Sequence, residues 1–320
     1  MGHAPNHIRV ISGADIEWLV DRGTVLDLLG RGFEALSSGG VQAPPRNKVD
    51  AAGKGISLAM LAWAPGHHIT QKTVNVYHGN PALGLESHQA LVSLFDWETG
   101  APIAILDGAS LTGIRTAAAA VLSVKVLARA DARTALVVGA GVQGREHVRQ
   151  LALAREFAEV RVYARDRAKA EALAALVPNG RVVTDLEAAT RTADVVCLTT
   201  SAERGVIEAD WVRPGTHVTS VGFAPPGSEL PLDLIGRSRV VVEAMAAFEP
   251  APVGCAELAG RDKGDAAELG QILLGHRPGR TSADQITLYK SMGHAMEDMI
   301  VANLAYEAAL AAGAGSSIVL

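Results

Sequence analysis

The sequence predicts an α/β protein in which a doubly wound domain with a parallel sheet is inserted into a split α+β domain. Between residues 56 and 106, strand-like runs follow one another without helices, which favours an antiparallel sheet. From Arg133 to about residue 285, strands and helices alternate, which is typical of parallel βαβ units. With 320 residues, the chain is long enough for two domains. We therefore expect residues 1–130 and 290–320 to form the split domain and residues 131–289 to form the inserted one.

The split domain is expected to begin with helix and to continue with sheet. Residues 8–37 interleave acidic and apolar side chains in a helical pattern, which Pro44 and Pro45 interrupt. Turn signals such as Pro65-Gly66 separate the strand-like runs that follow, and an alanine-rich segment then predicts a long helix. The predicted strands are Ile56–Ala64, Ile69–Tyr77, Ala90–Phe95 and Pro102–Leu106, and the predicted helix is Thr112–Ala130.

The inserted domain is expected to contain six strands, each of them a short and largely apolar run. These strands are Ala135–Val138, Val160–Tyr163, Arg181–Thr184, Val195–Leu198, His217–Val221 and Val240–Val242. A final helix, from Ser291 to about Ala311, is predicted to return the chain to the split domain. The alanine- and glycine-rich residues after it are expected to fray.

The composition is that of an ordinary globular protein, with 48% apolar and 20% charged residues. The formal net charge is −5 and no long run carries one sign, so the charge pattern favours neither nucleic acid nor an anionic membrane as a partner. No stretch of about 18 uninterrupted apolar residues predicts a membrane span, and residues 1–9 lack the apolar core of a signal peptide. The two cysteines, Cys197 and Cys255, are expected to be reduced thiols in a cytoplasmic protein.

The most informative motif is an apolar run that leads into three glycines. Gly139, Gly141 and Gly144 have the spacing G-x-G-x-x-G, and a helix-compatible segment begins there. In the dinucleotide-binding Rossmann fold, such glycines permit a tight turn, backbone approach to a pyrophosphate and close packing of the helix. Phosphates would then lie on N–H groups at the start of the helix, around Val142 and Gln143. The alternative is a glycine-rich turn that binds nothing, but a second predicted strand after the helix favours the dinucleotide site.

The end of that second strand distinguishes NAD from NADP. A carboxylate there binds the ribose 2′-hydroxyl group of NAD, whereas a basic residue accepts the 2′-phosphate of NADP. Here Tyr163 is followed by Ala164 and Arg165, so we predict a preference for NADP(H), with NAD(H) as the second candidate. The competing interpretation is that Asp166 bends back to the ribose and that Arg165 is solvated.

Further cofactor contacts are predicted near strand and helix ends. Thr200 follows the fourth strand of the inserted domain and is placed to border the ribose or the pyrophosphate. Ser291 and Gly293 are small residues at a helix start, which would allow close approach to the nicotinamide. The histidines between residues 67 and 88 lack metal-ligand spacing, and neither H-E-x-x-H nor C-x-x-C occurs, so no metal site is predicted.

Sequence blocks in both predicted domains resemble those of the ornithine cyclodeaminase/μ-crystallin family, in the same order along most of the chain. The blocks are Gln71–Gly84, Leu94–Gly100, the L-T-x-x-R-T-A-A segment Leu111–Ala118, the glycine motif and Lys290–Asp298. The resemblance implies a homodimer formed through the split domain, which would also bind the substrate. It implies hydride exchange between a nicotinamide and the α-carbon of an amino or imino acid. It also implies cofactor contacts at Thr116 and at the loop that contains Val221, Gly222 and Phe223.

The resemblance further implies that three basic residues, Arg46, Lys72 and Arg115, handle the substrate. The planar guanidinium group of an arginine can hold a carboxylate through two parallel hydrogen bonds and so fix the α-carbon beside the nicotinamide. Lys72, if partly desolvated beside two arginines, would have a lowered pKa and act in proton transfer at the imine nitrogen. The alternative is that Lys72 and Arg46 are surface charges on a strand and a loop.

The loop after the fifth strand of the inserted domain departs from the family pattern. Cyclodeaminases carry an acid/base aspartate where this sequence has Phe223, and a lysine where it has Gly227. Ring closure with loss of ammonia requires proton transfers that a phenyl ring cannot perform, whereas imine reduction needs a protonated imine, a bound carboxylate and a hydride. We therefore predict an NAD(P)H-dependent reductase of α-imino acids or cyclic ketimines, or the corresponding amino-acid dehydrogenase. A cyclodeaminase that recycles bound NAD and a non-catalytic NADP-binding protein are the alternatives.

Overall fold

The computed structural model describes residues 7–319, apart from the side chain of Pro81, and it divides into two compact units. Unit 1 contains the described residues up to Arg115 and those from His294 onward, and unit 2 runs from Thr116 to Gly293. The sequence predicts these boundaries near residues 130 and 290. The first boundary lies inside a continuous helix, α3 (Gly108–Leu127), where no loop or change in composition marks it.

Unit 1 is built on a mixed sheet of seven strands. The strands are β1 (His7–Ile11), β2 (Asn47–Asp50), β3 (Ile56–Ala62), β4 (Ile69–Val76), β5 (His88–Phe95), β6 (Pro102–Asp107) and β15 (Ser316–Val319). Their order in the sheet is β15-β1-β6-β5-β4-β3-β2. The four predicted strands are β3 to β6, and they pair antiparallel as expected. Only the β1–β6 pair is parallel among the described pairs of this sheet. The edge strand β2 escaped prediction because all four of its residues are exposed and show no apolar alternation.

The helices that unit 1 contains entirely are α1 (Gly13–Leu19), α2 (Arg22–Ser37) and α9 (Ala295–Ala312). Helix α9 packs against α2 and against β3, β4 and β5. Because side chains alternate between the two faces of a strand, the face towards α9 carries the buried residues Leu58, Met60 and Lys72. A lysine on an otherwise apolar, covered face is the first sign of a site in this unit.

The helical prediction for residues 8–37 is wrong at its start. Residues 7–11 form β1, whose Ile8 and Ile11 side chains are buried and which pairs with β6. Helix α1 begins only after Ser12, because the Ser12 hydroxyl accepts a hydrogen bond from the Asp15 N–H group while the Asp15 carboxylate accepts one from the Ser12 N–H group. This capping box fixes the helix start. The prediction of frayed residues after α9 is also wrong, since β15 pairs with β1.

Unit 2 is built on a sheet of eight strands, and all of its pairs are parallel. The strands are β7 (Thr134–Val138), β8 (Glu159–Tyr163), β9 (Gly180–Val182), β10 (Val195–Leu198), β11 (His217–Ser220), β12 (Ser238–Val242), β13 (Ala267–Glu268) and β14 (Ile286–Lys290). Their order is β13-β12-β14-β11-β10-β7-β8-β9. The connecting helices are α4 (Val142–Ala154), α5 (Arg167–Ala174), α6 (Leu186–Arg191), α7 (Leu232–Ile235) and α8 (Leu269–Leu273). This is the predicted doubly wound arrangement.

Two strands of unit 2 were not predicted, and one of them is central. All five residues of β14 are buried, and the strand lies between β11 and β12. Strands covered on both faces lack the apolar alternation that identifies a half-buried strand, so β14 resembles any short apolar run. Its carboxyl end leads directly into Ser291, one of the predicted cofactor contacts.

Helix α3 is long and apolar enough to cross a membrane by length and composition, the single such helix among residues 7–319. Of its most apolar window, 78% is buried inside the structure. A buried core helix passes the same criterion, so this observation is weak evidence for a membrane span.

Candidate active site

The turn after β7 requires glycine at two positions. Gly139 has a φ angle of +117°, and a Cβ atom there would lie 2.7 Å from Thr199 Oγ1 and 2.8 Å from the Thr199 carbonyl oxygen. A Cβ atom at Gly144, in the first turn of α4, would clash with the carbonyl oxygen of Gly139. These glycines therefore let the chain turn sharply and let α4 begin close to β7.

Gly141 leaves an opening at the start of α4. Apart from Gly141 itself and its two chain neighbours, no atom of the described chain lies within 4 Å of a Cβ atom built at this residue, and Gly141 caps the helix without a side-chain hydrogen bond. The first helical residues are Val142 and Gln143, and Val142 is 48% exposed. Because the N–H groups at a helix start carry partial positive charge, the opening fits the pyrophosphate of a dinucleotide.

The residues after β8 favour one of the two interpretations of cofactor preference. Ala164 is half-buried, and Arg165 is exposed. Asp166 is the N-cap of α5, and its carboxylate accepts a hydrogen bond from the Lys169 N–H group at 3.2 Å. The carboxylate that would have to reach the ribose hydroxyl of NAD is therefore engaged in capping a helix.

The carboxylate of Glu229 ties together the loops that follow β10 and β11. Its Oε2 atom accepts hydrogen bonds from the backbone N–H group of Thr200 at 2.6 Å and from the Thr200 hydroxyl group at 2.8 Å. Its Oε1 atom accepts bonds from Ser220 Oγ at 3.1 Å, from Val221 N at 3.1 Å and from Gly222 N at 2.7 Å. The predicted cofactor positions Thr200, Val221 and Gly222 thus lie together at the carboxyl ends of adjacent parallel strands, where α/β proteins bind ligands.

Lys290, the last residue of β14, also holds this loop. Its Nζ atom donates to the Gly222 carbonyl oxygen at 2.7 Å and lies 3.0 Å from Glu257 Oε1. Burial opposes the positive charge of Lys290, but the acidic groups of Cys255 and Glu257 outweigh it and raise the lysine pKa above its ordinary value. Phe223 is the next residue after Gly222 in the chain and is half-buried. Lys290 therefore fixes the peptide that carries Phe223.

The segment between β14 and α9 is fixed by Glu243. The hydroxyl group of Ser291 donates to Glu243 at 2.6 Å, and the N–H groups of Met292 and Gly293 donate to it at 3.1 and 3.0 Å. Gly293 has a φ angle of +75°, a conformation that favours glycine. Thr116 is buried within α3. The contacts of Ser291, Gly293 and Thr116 with a nicotinamide remain predictions.

In unit 1, Lys72 lies in a buried group of charged side chains. Only 2% of Lys72 is exposed. Its Nζ atom donates to Asp298 Oδ1 at 2.8 Å and to Thr112 Oγ1 at 3.3 Å. These partners come from α9 and α3, so three elements of the unit meet at the end of this side chain. The alternative that Lys72 is a surface charge is therefore wrong.

Arg115 joins the same group from α3, one turn after Thr112. Its Nε atom donates to Asp298 Oδ1 at 2.9 Å, and its Nη1 atom donates to Glu297 Oε2 at 2.8 Å. Glu297 also accepts a hydrogen bond from the backbone N–H group of His294 through Oε1, which completes the capping box of α9. The two carboxylates lie in the first turn of α9, where the helix dipole stabilises negative charge.

The charges of this group shift its pKa values. Burial and then the charge of Arg115 lower the pKa of Lys72 to about 8, with a further contribution from Arg46, although Asp298 acts in the opposite direction. Burial would raise the pKa of Asp298, but the charges of Arg115 and Lys72 outweigh it and hold that pKa below its usual range. A buried lysine that titrates near neutral pH is suited to proton transfer.

The third predicted basic residue, Arg46, is half-buried and lies in the chain just before β2. Its charge contributes to the lowered pKa of Lys72, so it lies within electrostatic range of that side chain. Within residues 7–319, no group of three or more His, Cys, Asp or Glu side chains is arranged to hold a metal ion. Unit 1 therefore offers two arginines and a lysine as candidate substrate-binding groups.

The roles of the carboxylates that organise both sites were not predicted from the sequence. Asp298 belongs to a block used for the resemblance, yet its partner Lys72 lies 226 positions away, so no local pattern links them. Glu243 directly follows β12, whereas Glu229 lies in the loop between β11 and α7, and neither belongs to a pattern of acids in the sequence. The one available signal was that apolar segments such as Ile286–Lys290 and Ala295–Ala312 contain or adjoin charged residues, which are rarely buried without a partner.

The model of the ornithine cyclodeaminase/mu-crystallin family matches residues 8–313. The chain belongs to this family. The match includes residues of both units, and it confirms the resemblance inferred from the sequence blocks. The matched residues include both the glycine motif in unit 2 and the residues of the buried lysine group in unit 1.

Three relatives within or close to the family have informative names. Mouse ketimine reductase mu-crystallin is 34% identical over 280 residues, which are 86% of this chain and 88% of that protein. A structure of Thermococcus litoralis Δ1-pyrroline-2-carboxylate reductase with NADH and L-proline has 31% identity and a TM-score of 0.90, and covers 97% of this chain and 100% of that one. An archaeal alanine dehydrogenase dimer with bound NAD has 28% identity and a TM-score of 0.86, and covers 98% and 99%. The predicted α/β fold class is thereby confirmed.

Proposed function

We propose that this protein is an NAD(P)H-dependent reductase of α-imino acids or cyclic ketimines, or the corresponding amino-acid dehydrogenase in the reverse direction. The observation that carries this proposal is the buried pair of Lys72 and Arg115, in which the lysine has a pKa of about 8. The family relatives support it, because they include a ketimine reductase and a Δ1-pyrroline-2-carboxylate reductase.

The chemistry requires one hydride and one proton. A reduced nicotinamide, when bound, would supply the hydride to the α-carbon. Lys72, protonated below about pH 8, donates a proton at the imine nitrogen, so that the C=N bond becomes CH–NH and the cofactor is oxidised. Arg115 and Arg46 attract the substrate carboxylate. Because Nε and Nη1 of Arg115 are fixed by Asp298 and Glu297, its guanidinium plane is oriented before substrate binds.

The reaction class is tested with a panel of small carbonyl and imine substrates. Cyclic five- and six-membered ketimine carboxylates, and 2-oxo acids with ammonia or methylamine, are supplied together with NADPH or NADH, and cofactor oxidation is followed by absorbance. We expect turnover of at least one imino acid and none of the same ring without its carboxylate, because Arg115 and Arg46 would have no anion to bind. Absence of turnover across the panel, with cofactor binding demonstrated, would contradict the proposal.

A cyclodeaminase remains the second candidate because the family includes that activity. Phe223 speaks against it, since this position would have to move protons during ring closure and ammonia loss. The direct test is to incubate the protein with ornithine or lysine without added reductant and to assay for the cyclic amino acid and ammonia. Release of both products would favour the cyclodeaminase, whereas tight cofactor binding with no activity in any assay would favour a non-catalytic binding protein.

The proposed cofactor is NADP(H) in preference to NAD(H). Support comes from the end of β8, where Ala164 offers no carboxylate to the ribose, Arg165 is exposed and Asp166 is engaged as a helix cap. The related structures have NADH or NAD bound, so NAD(H) is the second candidate. Comparing kcat/KM for NADPH and NADH decides between them.

A homodimer formed through unit 1 is also part of the proposal. The sheet face away from α9 carries the exposed side chains Leu61 and Leu91, on alternate positions from the buried residues of β3 and β5. Large apolar side chains exposed on a sheet face, here beside polar neighbours such as Gln71 and Thr73, are found at protein interfaces. The related alanine dehydrogenase is a dimer. We further propose a cytoplasmic location, in keeping with Cys197 and Cys255, which are both buried free thiols.

A further inference from the structure

Asp298 makes an unusual pair of contacts. Only 1% of this residue is exposed. A single oxygen, Oδ1, accepts hydrogen bonds from both Lys72 Nζ at 2.8 Å and Arg115 Nε at 2.9 Å. The other oxygen, Oδ2, is buried and has no hydrogen-bond partner among the described residues. The two cations are thus bridged by one atom of one carboxylate.

We propose that Asp298 is a positioning residue, whose carboxylate is the shared counter-ion that holds Lys72 against Arg115 and keeps Lys72 in its ammonium form for the reaction. The inference rests on the proposed function, which gives Lys72 the proton transfer at the imine nitrogen. Asp298 would itself act through Lys72 and Arg115.

The charges around Lys72 support this role. Arg115 on α3 and Arg46 before β2 disfavour the positive charge of Lys72. His88 on β5 lies within electrostatic range as well, and burial together with the charges of His78 and Lys72 lowers its own pKa. Asp298 on α9 favours the ammonium form of Lys72. Burial adds to the cost of the ammonium form, so without Asp298 every influence identified on Lys72 would favour the neutral amine.

The neighbouring carboxylate has a different task. Glu297 accepts from Arg115 Nη1 and from the His294 N–H group, so it fixes the arginine and the start of α9. Besides burial, the largest influences on the pKa of Lys72 come from Arg115, Asp298 and Arg46 rather than from Glu297. Asp298 therefore contacts both Lys72 and Arg115, whereas its neighbour Glu297 contacts Arg115 and the helix start. A substitution of Glu297 is thus a matched control for a substitution of Asp298.

The unpaired Oδ2 atom argues that the arrangement was not selected for stability alone. A buried carboxylate is most stable when both of its oxygens accept hydrogen bonds, and an unsatisfied buried oxygen costs free energy. Buried charged groups with perturbed pKa values and incomplete pairing cluster at functional sites. The geometry is better explained by a requirement to hold two cations at one point.

The deciding experiment measures the Lys72 pKa directly, without reference to activity. The full-length protein is labelled with [13Cε]lysine and titrated by NMR between pH 6 and 11, with Lys72→Met identifying the signal. Asp298→Asn should lower the Lys72 pKa by about one unit or more, because the amide keeps the shape and loses the charge. Glu297→Gln should change it by less than about 0.3 units. Equal shifts in the two variants, or no shift in Asp298→Asn, would overturn the proposal.

The kinetic readout separates this inference from the proposed function. If the wild-type protein reduces imino acids, Asp298→Asn should lower kcat at pH 7 by about twofold or more and move the loss of activity at high pH to lower pH. The Kd for NADPH should stay within about twofold. If the wild-type protein has no such activity, the proposed function is contradicted. The NMR titration still tests whether Asp298 raises the pKa of Lys72.

A wild-type measurement covers the case in which Asp298→Asn does not fold. The carboxyl carbon of Asp298 is followed by 13C NMR between pH 5 and 9. A counter-ion held by two cations must stay ionised throughout this range, so its chemical shift should not report protonation. Uptake of a proton by Asp298 within the range would contradict the inference.

Discussion

Lys72 is the residue whose ionisation most directly affects the proposed chemistry. Its pKa is about 8 because burial and the charge of Arg115 disfavour the ammonium form. A proton donor works only while it is protonated, so kcat/KM for imine reduction should fall as the pH rises through about 8. The measurement is a pH–rate profile between pH 6 and 10 with a saturating cofactor.

Lys72→Met provides the control for this profile. The variant should lose about 10²- to 10⁴-fold in kcat, the usual contribution of a general acid, and the decrease centred near pH 8 should disappear. Retention of the same decrease in Lys72→Met would assign it to another group. A methionine fills most of the buried space, so the folded state should survive.

Arg165 carries the expected discrimination between the two cofactors. Arg165→Ala should lower kcat/KM for NADPH by about 10- to 100-fold, since hydrogen bonds to charged groups contribute about 1.5–3 kcal/mol, and should change the value for NADH little. Arg167→Ala is the matched control, because Arg167 is an exposed arginine two residues later that pairs with Glu171. A protein whose preference is unchanged by Arg165→Ala does not use this arginine for the 2′-phosphate.

At the level of single residues, the candidate site residues could be predicted from the sequence, but the side chains that surround them could not. The glycine spacing fixed Gly139 and Gly144 because their conformations and contacts are local requirements. Lys72 and Arg115 were found through the family blocks, but their carboxylate partners were not, because each pair joins residues about 180 or more positions apart. Long-range pairing of this kind follows from tertiary packing and leaves no periodic trace in the chain.

At the scale of the elements, two glycines of the β7–α4 turn have different expected roles. Gly144 is needed for the packing of α4, whereas Gly141 is expected to be needed for cofactor binding. Gly144→Ala places a methyl group against the Gly139 carbonyl oxygen and should lower both the stability, by about 1–3 kcal/mol, and the affinity for cofactor. Gly141→Ala places its methyl group in open space and should leave the stability nearly unchanged while weakening cofactor binding. Urea unfolding and calorimetric titration with NADPH measure the two quantities. Unchanged affinity in Gly141→Ala would argue against a pyrophosphate at this turn.

Elements with a clear pattern were predicted to within a few residues, and those without one were missed. Strands β3 to β6 alternate and have glycine and proline turns, whereas β14 is buried on both faces and gives no alternation. Strand β1 was absorbed into a helical pattern because its five residues precede α1 with only Ser12 between them. The capping box at Ser12 and Asp15 was a local signal that would have separated the two elements.

For the whole molecule, two buried histidines in unit 2 predict sensitivity to mild acid. Burial lowers the pKa of His147 to about 4, and burial together with the nearby arginines 280 and 155 lowers that of His217 to about 3. Both values lie below 6.5, so the unfolded chain binds more protons and stability is lost as the pH falls from about 6.5. Each histidine should contribute about 2 kcal/mol of loss between pH 7 and pH 5.

Urea unfolding at pH 7, 6 and 5 measures this loss. His217→Gln is the comparison, because the amide can retain hydrogen bonds to Ser123 and Thr287 without titrating. Its free energy of unfolding should fall less steeply with decreasing pH than that of the wild-type protein. Parallel pH profiles for the two proteins would show that His217 is not the source of the acid sensitivity.

The assembly state is a second property of the whole molecule. If the exposed sheet face of unit 1 forms the dimer, Leu91→Arg should convert a dimer to a monomer in light-scattering measurements, because a buried unpaired charge is costly at an interface. Leu310→Arg is the control, since Leu310 is exposed to a similar extent but lies on α9. A dimer that persists in Leu91→Arg would place the interface elsewhere.

The pairing of β1 with β15 has a consequence for the connectivity of the chain. His7 lies directly opposite Val319 in an antiparallel register, so the first and last described strands already have the geometry of a hairpin without its loop. A two-residue Asn-Gly link in place of residues 1–6 and Leu320 would suit this hairpin, because such turns match the twist of neighbouring antiparallel strands. Circular permutation, with new termini opened in an exposed connection elsewhere, would therefore leave this edge of the sheet intact.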